Sequence, residues 1–201
     1  RPLCLAFDFN TNPMSLVVGQ TYLQRNLLLV LREFVYGPTT IDAVVQDFRA
    51  HYSSHRADVI IYGDATKGTT PQTAQSNWDM VMMSFRGYHV TPERRVPPGN
   101  PRVGDRLNSV NRLLSGDGPV TIQIEQDLCP ELVRDFREVI MTPDGRQIYK
   151  EKDPDNPYYF RTHASDAFGY WVFREWPTVA EVVQQMGVKR APMDMSKAMG
   201  A

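Results

Sequence analysis

Three aspartates stand at places where a carboxylate needs a partner. Asp8 closes the run LCLAFD (3–8), Asp64 closes VIIYGD (59–64), and Asp166 sits in HASDAFGY (163–170). The first two follow apolar strand-like residues, so an acid arriving there is costly unless a metal ion or hydrogen-bond donors satisfy it. Asp166 lies near the start of an amphipathic helix and shares a face with Tyr170 and Phe173 by spacing. Ala167 and Gly169 beside it are small, which lets that helix approach a sheet closely. Carboxylate oxygens are hard ligands that suit Mg²⁺ or Mn²⁺ and not zinc. Two such ions, about 3.5–4 Å apart, activate water and steady the leaving oxygen in phosphodiester hydrolysis. Taken singly, each acid has a plainer reading as a turn residue, a cap or a helix N-terminal charge. It is the three together, at the ends of the right elements, that point to a metal site on Asp8, Asp64 and Asp166.

The elements that must position them follow from the hydrophobic pattern. Residues 3–9, 14–22 and 26–36 read as an antiparallel meander, with a polar break at Gln24, Arg25 and Asn26. Thr39 or Thr40 caps a helix running to His55, with Ile41, Val44, Val45 and Phe48 on one face. A buried strand is expected over 57–62, a polar loop over 65–71, a helix over 72–86, a short return to the sheet from Val90, and a Pro-, Gly- and Arg-rich loop over 92–102. Helices are expected over Val103–Leu114, Pro130–Ile140 and Thr162–Trp176, with a further helical stretch over 178–186. Val120–Ile124 alternates like a strand, and is either a further edge strand or half of a hairpin with 147–150. The fold class is α/β: a mixed sheet that opens with a three-strand antiparallel meander and carries helices on both faces. Residues 1–186 form one domain, and 187–201 a flexible tail rich in Met, Gly and Ala.

Composition narrows the partners. Twenty-two Lys and Arg against 23 Asp and Glu give a net charge of -1, so nucleic acid is not announced by bulk charge. It has to be gripped by a local patch, by metal ions, or by another part of a larger molecule. Arg94, Arg95, Arg102 and Arg106 make one local basic cluster, in and after a Pro- and Gly-rich loop. Lys67, among Thr66, Thr69 and Thr70, is a second candidate phosphate contact, and His163, one turn before Asp166, a third. Each has an alternative as a solvated loop cation or a helix-start residue. Asn10 and Asn12 either orient a metal-bound water or stabilise the turn after Asp8, and Asp105 is an N-cap, an arginine partner or a ligand. The arginines of 134–146 lie beside Asp135, Glu138 and Asp144, which reads as a salt-bridged face. Trp78, Met80, Met82 and Met83, and Trp171, Phe173 and Trp176, read as core. Cys4 and Cys129 have no metal-ligand spacing, so a reducing intracellular compartment is expected. No apolar run is long enough to span a membrane. The chain starts Arg-Pro, as a piece of a longer protein would.

The segments LCLAFDFNTNPMSLVVGQ, VIIYGDATKG, NPRVGDRLNSVNRLL and THASDAFGYWV, in this order, resemble the C-terminal nuclease domain of the terminase large subunits of tailed phages and prophages. FDFNTNP, YGDA and HASDAFGY carry most of that resemblance. It implies an RNase H-like fold that cuts double-stranded DNA at the start and end of genome packaging in a bacterial host's cytoplasm. It maps the family's metal-binding acids onto Asp8, Asp64 and Asp166, with two Mg²⁺ or Mn²⁺ ions. It also implies an N-terminal ATPase motor, whose GxxxxGK[ST] phosphate loop this sequence does not contain, and a small terminase subunit and portal protein as partners. Two alternatives stay open: an RNase H-like nuclease for hybrids or junctions, and a non-catalytic docking module.

Overall fold

A computed structural model describes residues 1–10, 12–65, 76–143 and 147–178. The elements run β1 (Leu3–Asp8), β2 (Met14–Tyr22), β3 (Leu27–Tyr36), α1 (Ile41–His51), β4 (Val59–Gly63), α2 (Asn77–Ser84), β5 (Glu93–Arg94), α3 (Val103–Leu114), β6 (Thr121–Ile124), α4 (Pro130–Glu138) and α5 (His163–Glu175). The strands form one sheet in the order β5-β4-β1-β2-β3-β6. β1, β2 and β3 are the antiparallel meander, while β4 lies parallel to β1, β5 parallel to β4, and β6 parallel to β3. This is the mixed sheet with an opening meander expected from the pattern, in the RNase H-like arrangement that the resemblance implies.

The alternation of side chains along β1 and β4 decides the position of the site. Leu3, Leu5 and Phe7, with Val59 and Ile61, face the core under α1 and α2, where Phe48, Trp78 and Val81 pack. Cys4 and Ala6, with Ile60 and Tyr62, face the opposite core, built with α3, α4 and α5. Both faces of β1 are covered, which is why all six of its residues are buried and its sequence is apolar without a break up to Asp8. With a period of two, the next even positions, Asp8 and Asp64, turn to the α5 side. The parallel register pairs Phe7 with Gly63, so Asp8 and Asp64 follow side by side. Gly63 is required for this approach, because a Cβ there would meet the Phe7 carbonyl oxygen at 2.6 Å and the Trp78 ring at 3.0 Å.

Several sequence expectations are refined. Thr40 is the cap of α1, its side chain accepting from the Ala43 N–H at 3.2 Å, and α1 stops at His51. The return after Val90 is only the two-residue β5, inside the stretch expected to be loop. Thr121–Ile124 pairs with β3 as an edge strand, not with 147–150; Ile148 makes a single bridge to Met141. Met83 is 40% exposed and not core, since it falls off the face that carries Trp78, Val81 and Phe85 inward. The helix expected over 72–86 appears as Asn77–Ser84, capped by Ser76. Lys67 and its threonines, the 178–186 helix and the 187–201 tail lie outside the described residues. Among the described residues no helix is long and apolar enough to cross a membrane.

Candidate active site

Asp8, Asp64 and Asp166 line one pocket of about 750 Å³, together with Asn10, Arg106, Lys150, His163 and Tyr170. The acids are 3%, 5% and 5% exposed, so each needs partners. Asp8 Oδ2 accepts from Asn10 Nδ2 at 2.6 Å and lies 2.9 Å from His163 Nδ1, while Asn10 Nδ2 and His163 Nδ1 are 3.0 Å apart. Asp64 Oδ1 accepts from Asn100 Nδ2 at 2.6 Å, and Asn100 Oδ1 accepts from the Ala65 N–H at 2.7 Å, so one amide clamps the end of β4. Asp166 is held by two cations: Arg106 on Oδ1, and Lys150 Nζ on Oδ2 at 2.6 Å. Within this shared pocket each acid is turned to its own partners. Among the described residues no three His, Cys, Asp or Glu side chains are gathered tightly enough to hold an ion between them.

Arg106 comes from the inner face of α3. Its guanidinium stacks over the Tyr170 ring at 4.4 Å. Its stem lies along α5, where a Cβ at Gly169 would meet Arg106 Cγ and Cδ at 2.9 Å. Burial, with Asp64, Asp166 and Asp8 nearby, pushes the Tyr170 phenol above its ordinary range against the opposing pull of Arg106. Its hydroxyl therefore stays protonated at the pocket that the acids line.

α5 carries His163 and Asp166, and its start is fixed from outside. Thr162, its N-cap, has a positive φ of 79° and makes no side-chain cap. Asp135 of α4 does the capping, accepting from the Ser165 N–H at 2.9 Å. Arg161 is buried beside it, contacting Glu131, lying 3.5 Å from Asp135 and 3.8 Å from Glu138. α4 is capped in the same way: Glu33 of β3 accepts from the Glu131 and Leu132 N–H groups at 2.5 and 2.8 Å. Burial pushes Asp135 up to about 6 and Glu33 up to about 7, outweighing the N–H donors and, for Asp135, the arginine that pull the other way.

The residues expected to touch DNA are placed differently from one another. Arg106 is buried inside the site against Asp166, not on an outer basic patch. Arg95 is tied to Glu93 at 2.7 Å and to Glu175 at 3.3 Å. Arg94 is exposed, its guanidinium 5.1 Å from the Trp78 ring, and Arg102 is exposed at the N-cap of α3. His163 stands in the pocket on Asp8. The four arginines thus stand in different settings. The N-cap of α3 is Arg102, and Asp105 falls inside the first turn and is not the cap. Of the face expected over 134–146, Asp144 and Arg146 lie outside the described residues; Arg134 pairs with Glu131 at 2.8 Å on the surface, but Asp135 is buried. Sequence reading misses Lys150, Asn100 and Arg161 altogether, and it names Tyr170 and Asp135 without their roles.

An α/β sheet of this order, with acids gathered where β1 and β4 end and a helix closing over them, defines an RNase H-like domain. No protein-family model matches the sequence, and neither does any curated protein. Solved structures do. The nuclease domain of the P22 large terminase is similar over 90% of this chain and 86% of its own, with a TM-score of 0.56 and 15% identity. The large terminase of a thermophilic bacteriophage, solved in complex with ATP-gamma-S, is similar over 86% of this chain, with a TM-score of 0.56 and 15% identity. This chain spans 39% of that protein's length. The fold is that of large-terminase nuclease domains.

Proposed function

We propose that this chain is a metal-dependent endonuclease, the nuclease part of a terminase large subunit, hydrolysing double-stranded DNA during viral genome packaging. The observation that carries the reading is the convergence of Asp8, Asp64 and Asp166 on one pocket. The fold shared with terminase nuclease domains supports it. The donor set fits Mg²⁺ or Mn²⁺: buried carboxylates, with amide and imidazole groups behind them to fix their orientation. Two such ions would supply a nucleophilic water and neutralise charge on the phosphate.

The chain's own residues do the rest. Asp8, Asp64 and Asp166 would hold the ions once their carboxylates turn from their present partners toward the shared pocket. Asn10 and His163 fix the Asp8 carboxylate, Asn100 fixes Asp64, and Arg106 fixes Asp166 while keeping a permanent positive charge at the pocket wall. The neutral Tyr170 hydroxyl offers a hydrogen bond there. Arg94 and Arg102, exposed on the same stretch of chain, and Lys67 are the proposed contacts to the DNA backbone, with Arg106 and His163 in the pocket itself and Arg95 next to Arg94 in sequence but paired with Glu93 and Glu175. The ATPase motor, small terminase subunit and portal would supply translocation and DNA delivery in the bacterial cytoplasm.

The test is cleavage of a supercoiled plasmid with Mg²⁺ or Mn²⁺, beside an RNA–DNA hybrid and a four-way junction. Asp8→Asn, Asp64→Asn and Asp166→Asn are each expected to reduce plasmid cutting by on the order of 10³-fold while the far-ultraviolet circular dichroism is retained. Undiminished cutting by all three variants overturns the reading. Preference for the hybrid or the junction moves the substrate but keeps the chemistry.

A further inference from the structure

Asp166 has a cation on each oxygen, and the two are held very differently. The Arg106 side chain is 6% exposed, packed on Gly169 and Tyr170, and mounted on a helix. Lys150 is 52% exposed and stands on an irregular segment that follows the single Ile148–Met141 bridge. Withdrawing Arg106 would open the packing between α3 and α5. Withdrawing Lys150 needs only rotation of a solvated four-carbon stem. Its ammonium lies 2.6 Å from Asp166 Oδ2, inside the pocket that Asp8 and Asp64 also line.

We propose that Lys150 is an internal counter-cation that occupies Asp166 Oδ2 until a divalent ion displaces it. Arg106 stays on Oδ1 throughout. The inference rests on the metal-dependent reading above and adds a competitor to it. In the metal-free protein the lysine neutralises part of the charge of three neighbouring acids. When an ion arrives, the lysine has to give up its ion pair, and that exchange weakens the apparent affinity. Removing the ammonium also removes a positive charge that repels the ion.

The experiment is titration calorimetry of the whole chain with MnCl₂ at fixed pH and ionic strength. Lys150→Met, which keeps the stem, is expected to bind Mn²⁺ roughly 10-fold more tightly than wild type, an estimate scaled from one unit charge a few ångströms away. Lys150→Arg, which keeps the charge, is expected to stay within about twofold of wild type by the same reasoning. In a thermal melt the Mn²⁺-induced rise in Tm should be larger for Lys150→Met than for wild type, and the metal-free Tm lower. Equal Mn²⁺ affinity for wild type and Lys150→Met overturns the proposal and leaves the metal-dependent reading in place. No Mn²⁺ binding by either protein overturns both.

Discussion

The strand-borne and helix-borne aspartates reach one pocket on different kinds of support. Asp8 and Asp64 sit at the ends of neighbouring parallel strands, where the backbone ladder and two covered sheet faces fix them. Asp166 rides on α5, and α5 is set by a chain of buried charge: Glu33 of β3 caps α4, Asp135 of α4 caps α5, and Arg161 lies against Asp135. Sheet mounting depends on shape and backbone hydrogen bonds, so it is insensitive to pH. Helix mounting depends on charges taken out of water, so it is sensitive to pH and to loss of any one partner. A site assembled from both should fail in two separable ways.

The largest separation comes from Arg161→Met. It leaves Asp135 buried without its cation, and breaking a buried pair from one side costs about 3–5 kcal/mol. Urea unfolding at pH 7 is expected to show that loss. A loss under about 1 kcal/mol, the scale of an exposed pair, would mean that the arginine does not hold the helix side together.

How much of this is visible in the residues alone differs between the two supports. The strand acids are legible because LCLAFD and VIIYGD are unbroken apolar runs that each end in Asp, and a period of two then assigns their face. The helix Val103–Leu114 and the Thr40 cap are legible for the same reason, a local pattern with a local cause. Asp166 is legible as a residue, but its support is not. Lys150 lies in a turn-rich segment with no periodicity, and Asn100 in a Pro- and Gly-rich loop, so nothing local aims either at an acid. Asp135 does leave a trace, since it falls on the Leu132 side of α4 one turn on. Among so many charged neighbours that trace reads as an exposed ion-pair face. Which helix covers it is a tertiary fact.

The helix side should also be distinguishable by pH. Burial raises Asp135 from 3.8 to about 6 in the folded chain. Below about pH 4 the carboxyl is protonated in both states and the fold bears no penalty. Between about pH 4 and pH 6 the unfolded chain ionises first, so this group's contribution to stability is lost as pH rises. One pKa unit corresponds to about 1.4 kcal/mol, so the loss is about 3 kcal/mol in all. Asp135→Asn cannot ionise and escapes it. The difference in unfolding free energy, variant minus wild type, should therefore climb by about 3 kcal/mol from pH 4 to pH 6.5. Urea titrations at four pH values would measure it, and a flat difference would place the burden elsewhere.

The smallest effect belongs to the sheet side, and it turns on shape alone. Gly63→Ala puts a Cβ 2.6 Å from the Phe7 carbonyl oxygen and 3.0 Å from the Trp78 ring, both of them rigid. β4 must then move away from β1 at the residue before Asp64. Overpacking of this kind costs about 1–3 kcal/mol. Gly169→Ala is the matched control on the helix side. Its Cβ comes within 2.9 Å of Cγ and Cδ of the buried Arg106, so the stem has to shift against its hold on Asp166 and Tyr170, while alanine favours the helix by about 1 kcal/mol over glycine. Its loss is expected to be smaller than that of Gly63→Ala. Because the strand clash sets a methyl group against a carbonyl oxygen and an indole ring, with no titratable group in it, the Gly63→Ala loss should be the same at pH 4.5 and pH 7. A loss that varied between those pH values would tie the strand acids to the same buried charges as Asp166, and the two supports would be one.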